Sequence, residues 1–127
     1  MRIDLHSSYC SVLNKTSGRS LGNFIRVAQT PQDKAIGLLR QSSLPAGEGL
    51  LIPDCSSIHM VGMQFPIDVV WVDAVGIVRG TSQGLPPGAS LRMNSPLALI
   101  SCLELPTGTI AASQTQVGDT LQFDRVA

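Results

Sequence analysis

The sequence predicts a mainly β single domain, a β-sandwich or partly closed barrel with one short helix packed on it. Three observations predict this. Apolar runs of strand length recur along the chain, as in "GLLIP", "IDVVWV" and "LALISCLEL". Turn-forming residues punctuate them, with 12 glycines and 8 prolines in 127 residues. One segment alone, "TPQDKAIGLLR", combines helical spacing with a helix start. Several strands and one helix in a chain of this length build a single core, which buries about two-thirds of the surface that the unfolded chain exposes.

Residues 14–23, "NKTSGRSLGN", are polar and rich in glycine and serine. Residues 1–23 therefore read as an N-terminal extension, partly flexible with room for a short strand, and residues 24–127 as the domain. "FIRVAQT" reads as a strand that leads into a helix. Thr30 suits the N-cap, Pro31 the first helical position and Asp33 the first turn, where its charge meets the helix dipole. The spacing predicts a helix over 31–41 with Ala35, Leu38 and Leu39 as its apolar stripe. Gly37 inside that helix costs about 1 kcal/mol against alanine, which points to close approach of another backbone.

"LPAGEG" is a loop, and "GLLIP" a buried strand ended by Pro53. From Cys55 the period is two. One face would carry Cys55, Ser57, His59, Val61 and Met63, the other Ser56, Ile58, Met60 and Gly62. "IDVVWV", residues 67–72, is apolar on both faces apart from Asp68, so this strand is central and covered on both sides. "DAVG", residues 73–76, fits a type I turn that joins "IDVVWVD" and "GIVRGTSQ" into a hairpin. Residues 84–96 read as a loop rich in Gly, Pro and Ser, and 97–105 as a core strand with Glu104 on the face of Ala98, Ile100 and Cys102. A helical turn near 107–113 and a Gly118-Asp119 turn lead to a last strand.

Charge and composition exclude several functions. The 9 basic and 9 acidic side chains cancel and are scattered, so no electrostatic footprint for nucleic acid or membrane is expected. With 4% aromatic residues, stacking platforms for single strands or sugars are almost missing. Cys10, Cys55 and Cys102 are an odd number without close spacing, which fits reduced thiols and a cytoplasmic location. The N-terminus lacks the roughly seven to fifteen apolar residues of a signal-peptide core, and no run approaches the roughly 20 that span a bilayer.

The segments "TPQDKAIGLLRQSSLPAGEGLLI", "SIHMVGMQFPIDVVWVDAVGIV", "LELPTGT" and "VGDTLQF" together resemble, in order and spacing, DUF192, a small bacterial and archaeal domain of unknown function. The resemblance covers about residues 24–123. It implies a compact β-sandwich-like domain, found alone or behind a signal peptide, with no established activity. Arg40, His59, Met63, Pro66, Asp68, Gly76, Glu104 and Gly118 match the family pattern. Gln64 departs from it, standing where members usually carry a basic residue before Phe-Pro-Ile-Asp. "LPPGASLRM" departs too, lacking the Trp often found after the prolines.

His59 is the sharpest candidate, because a neutral imidazole on a strand can act as base, metal ligand or hydrogen-bond donor near neutral pH. Its bland role is a half-buried histidine bonded to a loop. Asp68 and Glu104 sit in apolar runs, where an unpaired carboxylate costs several kcal/mol. Either accepts backbone N–H groups or an arginine, or serves as acid or base beside His59. Arg40 is the evident cation for both. No metal site is expected, since Cys55 and His59 on one strand lie about 13 Å apart at a rise of about 3.3 Å per residue. No cofactor is implied.

The leading expectation is a binding or accessory module for an unknown small molecule or protein. Its groove would lie near His59, with Arg40, Met63, Gln64, Arg92 and the 84–96 loop around it. An enzyme using His59 with Asp68 or Glu104 is the first alternative, and a structural protein–protein module the second.

Overall fold

The computed structural model describes residues 9–94 and 99–126. Expectations for residues 1–8, and for the parts of the 84–96 loop and the 97–105 strand that fall on 95–98, lie outside the described residues. In chain order the elements are β1 (Tyr9–Asn14), β2 (Arg19–Val27), α1 (Pro31–Ile36), β3 (Glu48–Ile52), β4 (Ser57–His59), β5 (Ile67–Asp73), β6 (Val78–Leu85), β7 (Ser90–Arg92), β8 (Ile100–Leu105), α2 (Thr109–Ser113) and β9 (Leu121–Arg125). No helix among the described residues is long and apolar enough to cross a membrane.

Seven strands form one sheet in the order β6-β5-β8-β3-β2-β1-β9, while β4 and β7 make a separate two-stranded ribbon. β2 and β3 are parallel and joined through α1; the other pairs are antiparallel. The sheet curls until its two ends meet at one corner. There the Leu121 N–H donates to Gly76 O and the Val78 N–H to Asp119 O, both at 2.8 Å. The result is a half-barrel, which meets the expectation of a partly closed barrel, with two short helices rather than one.

Side-chain alternation divides the core into two clusters on opposite faces. Val70, Val72, Leu51, Leu103 and Leu105 point into the first, together with Ile25, Val12 and, from α2, Ile110. Val69, Trp71, Leu50, Ile52 and Cys102 point into the second, which is covered by Leu38, Met60 and the β4–β7 ribbon. β5 and β8 are buried at every position. Gly49 lets β3 fit between its neighbours, since a Cβ there would meet Glu104 O at 2.7 Å and Ile25 Cδ1 at 2.9 Å.

Several local expectations shift. Residues 9–23, read from sequence as an extension, hold β1 and the first half of β2, and Cys10, Val12 and Leu21 are buried in the first cluster. The helix stops at Ile36 because Gly37, its C-cap, takes a positive-φ conformation, φ 52° and ψ −120°, that side chains disfavour. Leu38 then reaches the core from the turn beyond it. Thr30 caps the helix as expected, accepting the Asp33 N–H at 3.0 Å. The strand expected over 55–63 is only three residues long. It ends because the chain turns at Met60, where the Met63 N–H donates to Met60 O, and Gly62 follows at φ 85°. The loop expected over 84–96 contains β7.

The acids on β5 are fully engaged. Asp73 Oδ1 accepts the N–H groups of Val75 and Ile77 at 3.0 and 2.9 Å, and its Oδ2 meets Arg79 Nε at 2.8 Å. Burial raises its pKa, but those N–H groups and the guanidinium outweigh it and hold the carboxyl below the usual range. Asp68 Oδ1 accepts the Gly84 N–H at 3.0 Å, while Oδ2 accepts those of Gly108 and Ile110 at 3.1 and 2.9 Å. One carboxylate thus fastens the end of β6 and the start of α2 to β5, the strand next to the sheet edge.

An amide at position 68 turns an N–H group toward at least one of those donors. Asp68→Asn should therefore lower unfolding stability by roughly 2 kcal/mol in urea. Asp124→Asn, on exposed β9, should stay within about 0.5 kcal/mol. Equal small effects would show that the Asp68 bonds contribute nothing net.

Candidate functional site

Because β8 alternates, Leu103 and Leu105 face the first cluster while Ile100, Cys102 and Glu104 face the second. Glu104 stands opposite Leu50 on β3 and Val69 on β5, both fully buried and apolar. Its residue surface is 6% exposed. Among the described residues its carboxylate has no hydrogen bond and no ion pair; the salt bridge found there joins Arg79 and Asp73. Burial alone pushes its pKa up from 4.5 to about 7.

The cover over this part of the sheet does not fit it tightly. The turn after α1 comes from one side and residues 54–63 from the other, leaving a cavity of about 310 Å³. Glu104 and Ile52 are on its sheet side. Leu38, Leu39 and Lys34 line it from α1 and its turn, and Cys55, His59, Met60 and Met63 from the other flank. Its surface is thus largely apolar, with two carboxylates, those of Asp54 and Glu104, an imidazole, a thiol and an ammonium group placed on it.

The Cys55 thiol donates to Ser57 O at 3.1 Å. Burial raises its pKa, the Ser57 bond lowers it, and Glu104 and Lys34 act in opposite directions, with a net rise. Cys102 is pushed well above the ordinary thiol value by burial, with Glu104 and Cys55 adding to it. All three thiols are unbridged, and burial raises Cys10 to about 11. A protonated, buried thiol is a poor nucleophile.

The structure brings together part of the residue set expected from sequence. His59, Met63 and Glu104 line the same cavity. Asp68 does not: it is on the opposite face of the sheet, engaged with α2, so a His59–Asp68 acid–base pair is ruled out. Arg40 is exposed and pairs with neither Asp68 nor Glu104. The helix that was to carry it inward ends at Gly37. Gln64 and Arg92 are exposed and outside the cavity lining. Sequence reasoning missed Lys34 as a lining residue. Cys55 stands outside β4, which starts only at Ser57, and lines the same cavity as His59.

A larger concavity of about 730 Å³ lies by Gly22, Gly47, Pro66 and Gly108. No ionisable side chain lines it, and Asp119 is the one on a third concavity of about 580 Å³, whereas the cavity over Glu104 carries several. Among the described residues no three His, Cys, Asp or Glu side chains are grouped to hold a metal ion.

Fold and site together define a small half-barrel domain with a buried acid beneath a covered cavity. The family model of DUF192, described as Uncharacterized ACR, matches residues 12–123, and the chain belongs to that family. No curated protein matches it. Its structure is similar to the crystal structure of a protein of unknown function from Novosphingobium aromaticivorans, with TM-score 0.73 and 23% identity over 90% of this chain and 83% of that one. It is also similar to that of a proposed transcription regulator from Sinorhizobium meliloti, with TM-score 0.76 and 18% identity over 97% and 98%. At these identities the likeness establishes the fold.

The Glu104 carboxyl links stability to pH with a definite sign. Unfolded, it ionises near 4.5; folded, near about 7. Between those values the folded state binds more protons, so stability falls as pH rises through the window and levels off above it. The shift corresponds to roughly 3 kcal/mol when complete. Urea unfolding of Glu104→Gln should therefore gain on the parent protein from pH 5 to pH 8, by up to that amount. A difference that stays constant with pH would show the carboxyl to be solvated.

Proposed function

We propose that the protein is a small-molecule-binding module whose ligand occupies the cavity over Glu104, beside His59. One observation carries this reading: a carboxylate 6% exposed and without a partner borders a cavity of about 310 Å³. A strand built only for stability would place an apolar residue between Leu103 and Leu105, because an unpaired buried acid costs several kcal/mol. A ligand donor would supply the missing partner. The volume is at the small end of ligand pockets, roughly 300–1,000 Å³, so the ligand is compact. Met60 and Met63 give walls that adapt to its shape.

The regulator description of the Sinorhizobium meliloti protein finds little support in this chain, whose 9 basic residues are matched by 9 acidic ones. Three unbridged thiols fit a reducing compartment, the cytoplasm. A second reading, an enzyme using His59 and Glu104 as acid and base, is favoured by the Glu104 pKa of about 7, close to the optimum for proton transfer at neutral pH. Turnover of a bound compound, lost in His59→Ala with binding retained, would select it.

Thermal-shift screening against a broad library of compact metabolites should give saturable stabilisation, about 2.7 kcal/mol at a concentration a hundredfold above Kd. Ser57→Trp places a bulky ring at the exposed lip of the cavity and should abolish the response without unfolding the protein. Hits that survive this substitution, or no hit at all, would count against the proposal.

A further inference from the structure

If the cavity over Glu104 is the ligand site, the charge of its ligand can be read from the lining. Lys34 of α1 and Asp54 of the β3–β4 turn both border the cavity, and their formal charges cancel. Cys55 borders it as a thiol and Cys102 lies behind it on β8; burial keeps both protonated. His59 is on the exposed end of β4, in contact with water. The neighbours of Glu104 across the sheet, Leu50 and Val69, carry no charge. Once Glu104 ionises, its negative charge is the one the lining leaves unbalanced.

An anionic ligand would meet that carboxylate directly and would require it to stay protonated. A neutral alcohol would offer a single hydrogen bond, charge-assisted on the carboxylate side alone. A cation gains most. The fold has already removed most of the water from Glu104, so the ligand's own desolvation is the larger cost added on binding, and the bond formed is charge-assisted on both sides.

We infer that the cavity takes a small organic cation, a primary amine on a short alkyl body, whose ammonium group donates to the Glu104 carboxylate while its hydrocarbon lies against Leu38, Met60 and Met63. Binding then completes the polar pairing that the protein's own side chains leave open. It also draws the ligand into contact with the most adaptable side chains of the cover.

The test uses three probes with one carbon skeleton: isopentylamine, isopentanol and isovalerate. Each is titrated into the full chain at pH 8, following the methyl signals of carbon-labelled Met60 and Met63 by NMR. The amine should produce saturable shifts at both methyls, bind about tenfold or more tightly than the alcohol, and exceed the carboxylate by more. Its affinity should drop on going to pH 5.5, where Glu104 becomes protonated. Glu104→Gln should weaken amine binding about tenfold, remove its pH dependence and leave alcohol binding in place. If that variant fails to fold, the pH profile of His59→Ala, which removes the imidazole from the lining, decides. Saturable binding in which alcohol or carboxylate equals the amine, or an amine affinity indifferent to pH, would overturn the cation assignment and leave the ligand site standing. No saturable shift from any of the three would overturn both.

Discussion

β5 and β8 have no face toward water, and the polar chemistry of the molecule follows from that constraint. Any ionisable group on these strands must find its partners within the fold or remain without them. Asp73 finds two N–H groups and a guanidinium at the strand's end. Asp68 finds three N–H groups from two other parts of the chain, and so turns a desolvation cost into a tertiary clamp. Glu104 finds none, and a cavity lies beside it. Three acids under the same burial thus have three outcomes, set by what the neighbouring backbone offers.

The clamp and the cavity lie on opposite faces of one sheet, and the two faces differ in what covers them. On the first face α2 is tied to the strands by the Asp68 carboxylate and by Ile110 in the core. On the second face the cover is made of a turn and a two-stranded ribbon paired over three residues. Backbone bonds tie it down, among them the Cys55 N–H to Ile100 O and the Met93 N–H to Ser56 O, both at 2.8 Å. A ligand group is positioned best by rigid elements and admitted best by mobile ones. Here the acid is on the sheet and the apolar walls are on the shorter elements laid over it.

Much of the strand layout was legible because apolar alternation and turn residues are strong local signals. The β5–β6 hairpin shows it: Asp73 and Gly76 are the turn residues, and the Gly76 N–H donates to Asp73 O. β1 was not legible, because its polar end conceals its burial. Asn14 is fully buried, held by Thr115 and Asp119 from the far end of the chain, which no local pattern reveals. The "CSSIHMVGMQF" stretch misled in the opposite direction. Its alternation suits a core strand, but Met60 and Gly62 turn the chain, and the three residues that pair do so with β7 alone. For the site, the polar candidates His59 and Glu104 stood out as residues needing partners. That they share a cavity while Asp68 faces away depends on strand parity across the sheet, which becomes fixed only when the register is known.

The sheet order also governs the sequence in which the protein can assemble. β1 lies between β2, its neighbour in the chain, and β9, the last strand. Asn14 and Asp119, which bond across this junction, are 105 residues apart. During synthesis the β1–β2 hairpin can form early, but its outer edge stays unpaired until the C-terminal strand has left the ribosome, several seconds later at about 5–20 residues per second. The corner where the ends of the half-barrel meet uses the same late segment. A nascent chain therefore exposes an open strand edge until residues 121–125 emerge, and closing it is a long-range step of the kind that slows folding.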